Sequence, residues 1–372
     1  MSAVTRTEVL VIGGGIVGTS CAFYLARSGR EVTLIEREDS ICPVEASSYG
    51  NAGLIMPSDP YPVPVPGVLG RGLAWLLDDS SPLYIKPRLD PRLARWLLLF
   101  SLAAREAPMR RSMPTLRALG EEGIAAYEEL DALGELDAGY THNGILSLYL
   151  SQRSFDSAVA DGESLQALGV TSEAIDAEGV GKRVPAALPG VAGGVFAPED
   201  AHVDPCALTR QLAQLAQKHG ATVATATEAV GFDCLGRRIV AVATTRGRLE
   251  AEQVVLAAGV WSADLGRRLG LDLPVVPAKG YNITIPRPEG VPEVHPLFLP
   301  EGHVCVTPFG DELRLAGTLE LSGMNRRILP NRLDGIQDGA ARFLCGVAGA
   351  ERLGIWRGLR PMTPDGLPII GR

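Results

Sequence analysis

A glycine-rich stretch near the amino terminus has the spacing of a phosphate-binding loop. Gly13, Gly15 and Gly18 form a G-x-G-x-x-G pattern, with Ile16 and Val17 between the last two glycines. The first glycine permits a tight turn, the second lets the backbone approach a pyrophosphate, and the third lets a helix pack closely on a strand. The pattern therefore predicts a dinucleotide bound at a helix N-terminus, where free N–H groups and the helix dipole favour anions.

An acidic residue follows at the distance that such a loop requires. Glu36 comes 21 residues after Gly15, where a carboxylate can accept hydrogen bonds from both hydroxyls of a ribose. Arg37 is predicted to contact the same cofactor. An acidic residue at this position disfavours NADP, because the 2′-phosphate would be repelled. These residues alone do not distinguish NAD from FAD as the cofactor.

The segments around the loop predict a β-α-β unit. Residues 9–12 and 32–35 are short apolar runs typical of buried parallel strands, and residues 16–28 are predicted to form a helix that Gly29 ends. A helical insert, a second α/β piece and a second strand-rich region follow. The predicted fold class is α/β (α+β overall), with a Rossmann-like dinucleotide-binding domain interleaved with a second domain built on a mainly antiparallel sheet with helices.

Residues 90–133 are predicted to be mostly helical, with Pro91, Pro108 and Pro114 marking helix starts or interruptions. Within this region, residues 91–105 carry a run of large apolar residues between arginines. Such a segment can rest on a membrane surface or pack against the second domain. Its apolar residues cover more than one helix face, which favours burial.

Composition excludes several classes of protein. The net charge of −8 argues against a general nucleic-acid binder, which would present a basic face. The six cysteines show neither a CxxC pair nor a Cys/His cluster, so no metal site is predicted. No apolar run reaches the roughly 18 residues of a spanning helix, and no signal peptide is visible. The expected location is the cytoplasm, and peripheral contact at the cytoplasmic face of the inner membrane through residues 91–105 is the alternative.

One pair of residues invites an acid–base interpretation. His202 and Asp204 are close in sequence, but Asp204 followed by Pro205 is better explained as a helix cap, and His202 as a turn residue. The remaining histidines are dispersed, so the sequence indicates no Ser-His-Asp arrangement.

Four further segments resemble one flavoprotein family. Residues 46–53 (ASSYGNAG), 254–262 (VVLAAGVWS), 277–281 (PAKGY) and 358–371 (GLRPMTPDGLPIIG) are similar to motifs of the D-amino-acid oxidase superfamily. Within it the chain resembles in particular the bacterial D-amino-acid dehydrogenase small subunit, with the glycine and sarcosine oxidases as cousins. The resemblance covers nearly the whole chain in order.

This resemblance implies FAD as the cofactor, without nicotinamide. It places the first of these segments on the phosphate and flavin side, the backbone of a valine at the adenine, and the turn after residue 257 near the cofactor. The residues so implied are Ser47, Ser48, Asn51, Ala52, Gly53, Val230, Ala258 and Gly259. From residue type alone, the first segment is equally typical of a surface loop, and Val230 is equally a strand core residue.

The resemblance also implies the substrate contacts. Arg360, in Gly-Leu-Arg-Pro, is expected to pair with the substrate carboxylate, which a guanidinium binds through two parallel hydrogen bonds. A structural ion pair with Asp365 is the alternative. Tyr281 is expected to contact the substrate or to be an interior aromatic. Lys279 and Arg314 lie in segments similar to flavin-proximal ones, although exposed charges on a strand face are the alternative.

The expected reaction is FAD-dependent oxidative deamination of a small amino acid, in particular a D-amino acid. A hydride passes from the α-carbon to flavin N5, and water converts the imino acid to a 2-oxo acid and ammonia. A quinone or another carrier is the expected acceptor. The alternatives are an oxidase or dehydrogenase of glycine, sarcosine or D-hydroxyproline, an NAD-dependent dehydrogenase, and a non-catalytic or partner-dependent flavin-binding subunit.

The expected domains are discontinuous. Residues 1–57, 198–268 and 353–372 are assigned to the FAD-binding domain, and residues 58–197 and 269–352 to the substrate domain. The family normally continues past the position of Arg372 with a strand, a Gly-His-Gly loop and a helix. The expectation is therefore that the C-terminal part of the FAD-binding domain is truncated, and that a missing segment or a partner completes the flavin site.

Overall fold

The computed structural model describes residues 5–68, 83–86 and 88–371, so the stop at Arg372 lies outside the described residues. The chain forms two compact units, and each is discontinuous in sequence. The first unit comprises Met1–Gly50, Pro205–Pro277 and Gly358–Met362. The second unit comprises Asn51–Asp204, Ala278–Arg357 and Thr363–Arg372. The assignment of cofactor and substrate roles to separate domains stays a prediction.

The regular elements follow in chain order. The strands are β1 (Thr5–Ile12), β2 (Val32–Ile35), β3 (Leu54–Ile55), β4 (Leu83–Ile85), β5 (Ile145–Tyr149), β6 (Glu173–Asp176), β7 (Gly193–Ala197), β8 (Ala201–His202), β9 (Thr222–Ala224), β10 (Ala229–Leu235), β11 (Arg238–Thr244), β12 (Gly247–Leu256), β13 (Val276–Pro286), β14 (Leu297–Leu299), β15 (Val304–Phe309), β16 (Glu312–Leu321) and β17 (Gly354–Met362). The α-helices are α1 (Ile16–Arg27), α2 (Ser47–Gly50), α3 (Pro91–Ala103), α4 (Glu106–Ala132), α5 (Gln152–Leu165), α6 (Ala177–Arg183), α7 (Pro205–Lys218), α8 (Ser262–Arg268) and α9 (Pro330–Ala341), and short 3-10 turns lie at Gln166–Leu168 and Gly259–Trp261.

The first unit is built on a sheet with the order β10-β11-β12-β1-β2-β9. Strands β12, β1, β2 and β9 run parallel, and β11 and β10 are added antiparallel. Ile12 aligns with Ile35 and Leu256, so three neighbouring strands end at one edge. The residues that follow these strands therefore come close together: Gly13, Glu36 and Ala257.

The predicted β-α-β unit is confirmed. The strand of residues 9–12 extends back to Thr5, the predicted second strand is β2, and the helix ends one residue earlier than expected, at Arg27. Gly29 follows with φ of 86°, a left-handed conformation that glycine adopts without steric cost and that is typical of a helix C-terminus. The apolar runs of residues 9–12 and 32–35 predicted buried strands, and both strands are buried in the first unit.

The second unit is built on a mainly antiparallel sheet, as predicted. Its order is β17-β13-β16-β15-β14-β5-β7-β6, and β4 pairs parallel with β16. The core on this sheet contains Ile283, Leu315 and Val306, which are fully buried, and Leu333 and Ile336 of α9 pack with them. Gly354–Arg357 of β17 belongs to this unit, whereas the end of the strand belongs to the first.

The helical insert differs from the sequence prediction at one proline. Pro91 does start α3, where Asp90 accepts hydrogen bonds from the first backbone N–H groups. Pro108 likewise marks the start of α4, which begins at Glu106. However, α4 runs through Pro114, so the expected interruption there is wrong. Pro108 lies in the first turn, where an N–H has no intrahelical partner in any case. Pro114 costs one hydrogen bond in a helix of 27 residues, and the helix continues past it.

The apolar segment of residues 91–105 is partly packed and partly exposed. Leu93, Trp96 and Phe100 of α3 are buried, whereas Leu98 is 61% and Leu102 is 42% exposed. In the part of the chain that the structure describes, no helix is both long and apolar enough to cross a membrane.

His202 is a strand residue, so its interpretation as a turn residue is wrong. It lies in β8 opposite Leu54 of β3 and forms a second bridge with Thr141. Its side chain is 4% exposed. Burial, with His295 nearby, lowers the pKa of His202 to about 4, so the imidazole stays neutral near pH 7.

Candidate active site

Two glycines of the predicted loop are required by close backbone contacts within the first unit. Gly13 has φ of 119°, and a Cβ atom there would lie 2.5 Å from the carbonyl oxygen of Ala257. A Cβ atom on Gly18 would overlap the carbonyl oxygen of Gly13. Because neither position accepts a side chain, α1 can start directly against the ends of β1 and β12.

Gly15 is different, because the protein alone leaves room for a side chain there. The nearest atom to a Cβ atom on Gly15 would be Ser48 Oγ at 3.6 Å, an ordinary contact. The backbone at Gly15 is extended, with φ of −82°, which any residue adopts. A glycine at this position is therefore explained by a ligand that approaches the backbone and not by the packing of the chain.

The N-terminus of α1 is suited to an anion. Its N-cap, Gly15, offers no side-chain hydrogen bond, and the first turn contains no acidic residue. The Ile16 N–H donates to Ser48 Oγ over 3.1 Å, and this serine is buried on α2. The Ser48 hydroxyl keeps its own proton for a second bond, so the site combines helix-dipole potential with a positioned hydroxyl donor.

Glu36 has the remaining capacity to bind a ribose. It is 9% exposed at the end of β2, and its carboxylate accepts the N–H of Gly14 at 2.7 Å and of Glu38 at 3.0 Å. A carboxylate has about four acceptor positions, so roughly two remain for hydroxyl groups. The glycine loop thus holds the carboxylate that the cofactor would use.

Arg37 and the turn after β12 lie on the same side of the first unit. The Arg37 guanidinium lies over the Trp261 ring at 4.4 Å and pairs with Glu38 at 2.8 Å. The Ala257 N–H donates to Ile12 over 2.9 Å, and Gly259 turns the chain with φ of 55°. Ala258, between them, lies within 3.1 Å of a Cβ atom placed on Gly13, so this turn adjoins the glycine loop.

The predicted substrate residue Arg360 is joined to the glycine loop through α2. Ser48 of α2 accepts from Ile16, and the neighbouring Ser47 donates its hydroxyl to the Leu359 carbonyl over 2.6 Å. Arg360 follows Leu359 on β17 and is half-buried. All these residues belong to the first unit, so residues widely separated in sequence are gathered by one short helix. The expected loop at residues 46–53 is thus helical over α2.

Val230 lies at a bulge of β10. The register with β11 shifts between Ala229 and Gly231, so the Val230 peptide groups lie outside the regular ladder. Its carbonyl accepts from the guanidinium of Arg268. The side chain is 40% exposed, so Val230 is not the strand core residue of the alternative interpretation.

In the second unit, the segment of residues 51–53, which is predicted to contact the flavin, accepts hydrogen bonds from neighbouring side chains. Arg314 donates to the Asn51 carbonyl over 3.0 Å, and the buried Thr307 hydroxyl donates to the Ala52 carbonyl over 2.7 Å. Asn51 Oδ1 accepts the Gly53 N–H over 2.7 Å. Hydrogen bonds therefore fix the conformation of residues 51–53.

Lys279 and Tyr281 form a buried polar cluster with Glu320. The Tyr281 hydroxyl donates to Glu320 over 2.7 Å, and Lys279 lies 3.0 Å from the same carboxylate. Lys279 is fully buried, so its interpretation as an exposed strand-face charge is wrong. Burial lowers the pKa of Lys279, and burial with the Glu320 contact raises the pKa of Tyr281. Tyr281 is 1% exposed, which matches the interior-aromatic alternative.

Several contacts were not predicted from the sequence. Thr307 donates to the Ala52 carbonyl, and Trp261 lies under the Arg37 guanidinium. The Leu359 carbonyl accepts from Ser47. A polar residue inside the apolar strand β15 was the available signal for Thr307. The carbonyl of an apolar residue gives no signal at all, because every residue type carries one.

A family model described as FAD dependent oxidoreductase matches residues 8–372. The chain belongs to this family. FAD is therefore the cofactor, and the protein is an oxidoreductase. The choice between NAD and FAD, which the glycine loop and Glu36 left open, is decided by this match.

Curated relatives agree with the family. A D-amino acid dehydrogenase of Cereibacter sphaeroides is 34% identical over 371 residues, which is 98% of this chain and 84% of the relative. A D-amino acid dehydrogenase of Agrobacterium fabrum is 33% identical and is covered to 88%. Among solved structures, glycine oxidase from Bacillus cereus superposes with a TM-score of 0.75 at 23% identity, covering 98% of this chain and 85% of that one. The structural likeness shows the FAD dependent oxidoreductase fold.

The residues of the first unit fit FAD. The α1 N-terminus and Ser48 would hold the pyrophosphate, and Glu36 would hold the adenosine ribose. The open position at Gly15 is the observation on which this fit rests, since a ligand explains a glycine that the fold itself does not need.

We expect Gly15→Ala to raise the Kd for FAD roughly tenfold or more, which corresponds to about 1.4 kcal/mol. The added methyl group occupies the approach to the pyrophosphate without disturbing the fold. Gly18→Ala should instead lower the melting temperature of the apoprotein, because its Cβ atom overlaps a carbonyl oxygen. Gly123→Ala, in α4 with open space around it, is the matched control. Fluorescence titration with FAD and thermal melts measure both quantities. Unchanged FAD affinity in Gly15→Ala would contradict the assignment.

Proposed function

We propose that this protein is an FAD-dependent dehydrogenase that oxidises the Cα–N bond of a small D-amino acid. Relatives at 33–34% identity that carry the name D-amino acid dehydrogenase support this substrate class. The observation that carries the proposal is the position of Arg360 in the first unit. The strand that bears it is hydrogen-bonded through Ser47 to the helix that also contacts the glycine loop.

Arg360 binds the substrate carboxylate in this proposal. Arg360 is half-buried, and a guanidinium has planar pairs of N–H donors that match the two oxygens of a carboxylate. Two parallel bonds fix the orientation of the amino acid, so that its α-carbon is held in one place. Bound FAD would supply the hydride acceptor for this carbon, and hydrolysis of the imino acid by water would give the 2-oxo acid and ammonia.

Residues 51–53 and Val230 keep the roles that the resemblance implies. Asn51, Ala52 and Gly53 are proposed cofactor contacts, supported by the hydrogen bonds that fix their carbonyl groups. The Val230 backbone is proposed to meet the adenine, supported by the bulge that frees its peptide groups from the ladder. A substrate contact by Tyr281 stays a prediction.

We expect Arg360→Ala to raise the KM for D-alanine by roughly 10- to 100-fold, because hydrogen bonds to a charged group contribute about 1.5–3 kcal/mol. FAD affinity should stay unchanged. Arg357→Ala, on the same strand, is the matched control and should keep the original KM. The assay follows reduction of an artificial electron acceptor together with release of ammonia. An unchanged KM in Arg360→Ala would refute the carboxylate assignment. Formaldehyde from sarcosine, without ammonia from D-alanine, would favour the N-methyl substrate class.

We further propose that the electron acceptor is a quinone in the cytoplasmic face of the inner membrane. Helix α3 supports this, because Leu98 and Leu102 are exposed one turn apart, while Arg92 and Arg95 of the helix and Arg105 just after it are also exposed. Exposed leucines beside cationic side chains are typical of a helix that lies on an anionic lipid surface.

We expect the protein to co-sediment with vesicles that contain anionic phospholipid, and Leu98→Gln with Leu102→Gln to reduce the bound fraction several-fold. Each leucine withdraws apolar area from water when it enters the lipid, worth about 1.5–3 kcal/mol if complete. Val63→Gln, another exposed apolar residue outside the helix, is the control. Equal binding by wild type and the double variant would contradict the proposed membrane contact.

A further inference from the structure

Helix α2 carries two adjacent serines with opposite hydrogen-bonding roles. Ser48 accepts a backbone N–H from Ile16, at the start of the helix that the FAD pyrophosphate is proposed to meet. Ser47 donates its hydroxyl to the backbone carbonyl of Leu359 over 2.6 Å. These residues lie in the first unit.

The hydroxyl of Ser47 is hydrogen-bonded to the peptide group that joins Leu359 to Arg360. The Leu359 carbonyl and the Arg360 N–H belong to one peptide group, which is planar. A hydrogen bond that fixes this carbonyl therefore also fixes the direction in which the Arg360 backbone continues. Leu359 is 1% exposed, so its carbonyl lies on a buried stretch of β17 where a lost partner is not readily replaced by water.

We propose that Ser47 is a positioning residue for Arg360. Through the Leu359 carbonyl it sets the orientation of the guanidinium, and so the affinity of the enzyme for the α-carboxylate of its substrate. The two serines of α2 then have separate roles: Ser48 contributes to the affinity for FAD, and Ser47 contributes to the affinity for the substrate. This inference rests on the proposed function of Arg360.

The hydrogen bond to a main-chain carbonyl, rather than to a side chain, makes this role testable by small substitutions. Ser47→Ala removes the donor and leaves Leu359 without it, whereas Ser47→Thr keeps a hydroxyl at the same position. Neither change alters charge. A purely structural role would change stability in Ser47→Ala but would not separate substrate affinity from cofactor affinity.

Three quantities are measured for wild type, Ser47→Ala, Ser47→Thr and Ser48→Ala, the first on the apoprotein and the other two on the FAD-loaded protein. They are the Kd for FAD, the KM and kcat for D-alanine, and the Kd for propionate, which carries the carboxylate of alanine without its amino group. We expect Ser47→Ala to raise the KM and the propionate Kd by roughly 3- to 10-fold, the effect of losing one neutral hydrogen bond, with the FAD Kd unchanged. Ser47→Thr should restore both values. Ser48→Ala should show the reverse pattern, with weaker FAD binding and an unchanged propionate Kd.

Two results overturn the inference. One is a Ser47→Ala variant with normal propionate affinity, and the other is a variant that loses FAD affinity in proportion to substrate affinity. Should Ser47→Ala not fold, Ser47→Cys takes its place with the same expectations, because a thiol keeps the volume and donates weakly. The Arg360→Ala variant distinguishes a failure of the proposed function of Arg360 from a failure of the proposed role of Ser47. If it leaves the propionate Kd unchanged, the proposed function of Arg360 fails, whereas a response of Arg360→Ala without a response of Ser47→Ala refutes the role of Ser47 alone.

Discussion

The close approach of α1 to the ends of β1 and β12 is the constraint on which the site depends. It exists because Gly13 and Gly18 have no side chains, and each would otherwise collide with a carbonyl oxygen. This approach brings the Gly14 N–H within 2.7 Å of Glu36 and places the first turn of α1 beside Ser48. A dinucleotide site at the strand ends is therefore a consequence of main-chain packing.

Around this loop, the structure positions site residues by hydrogen bonds to main-chain groups. Ser47 holds the Leu359 carbonyl, Thr307 holds the Ala52 carbonyl, and Arg314 holds the Asn51 carbonyl. Main-chain partners have few degrees of freedom, so each of these bonds fixes the local path of the chain. Such preorganisation suits a flavoenzyme, in which the cofactor supplies the redox chemistry and the protein supplies position and electrostatics.

Much of the fold was predictable, because its signals are local. The glycine spacing, the apolar runs and the helix-ending Gly29 all lie within 36 residues of the chain start, and the β-α-β unit follows from them. Contacts across long separations were not predictable. Ser47 and Leu359 are 312 residues apart, and no pattern marks a carbonyl as an acceptor. The burial of Lys279 also required tertiary knowledge, since only the pairing of β13 with β16 brings Glu320 opposite it. His202 was misplaced because the nearby helix-capping signal dominated the local pattern.

The central claim is that this chain binds FAD and passes electrons to it from a small amino acid. It is tested most directly by the visible absorption spectrum of the purified, FAD-loaded protein before and after anaerobic addition of D-alanine. Oxidised flavin absorbs in the visible range and loses this absorption when a hydride reaches it. The account predicts bleaching by D-alanine, with 2-oxo acid and ammonia formed in equal amounts. A flavin spectrum that persists with D-alanine, or a protein that takes up no FAD, would contradict it.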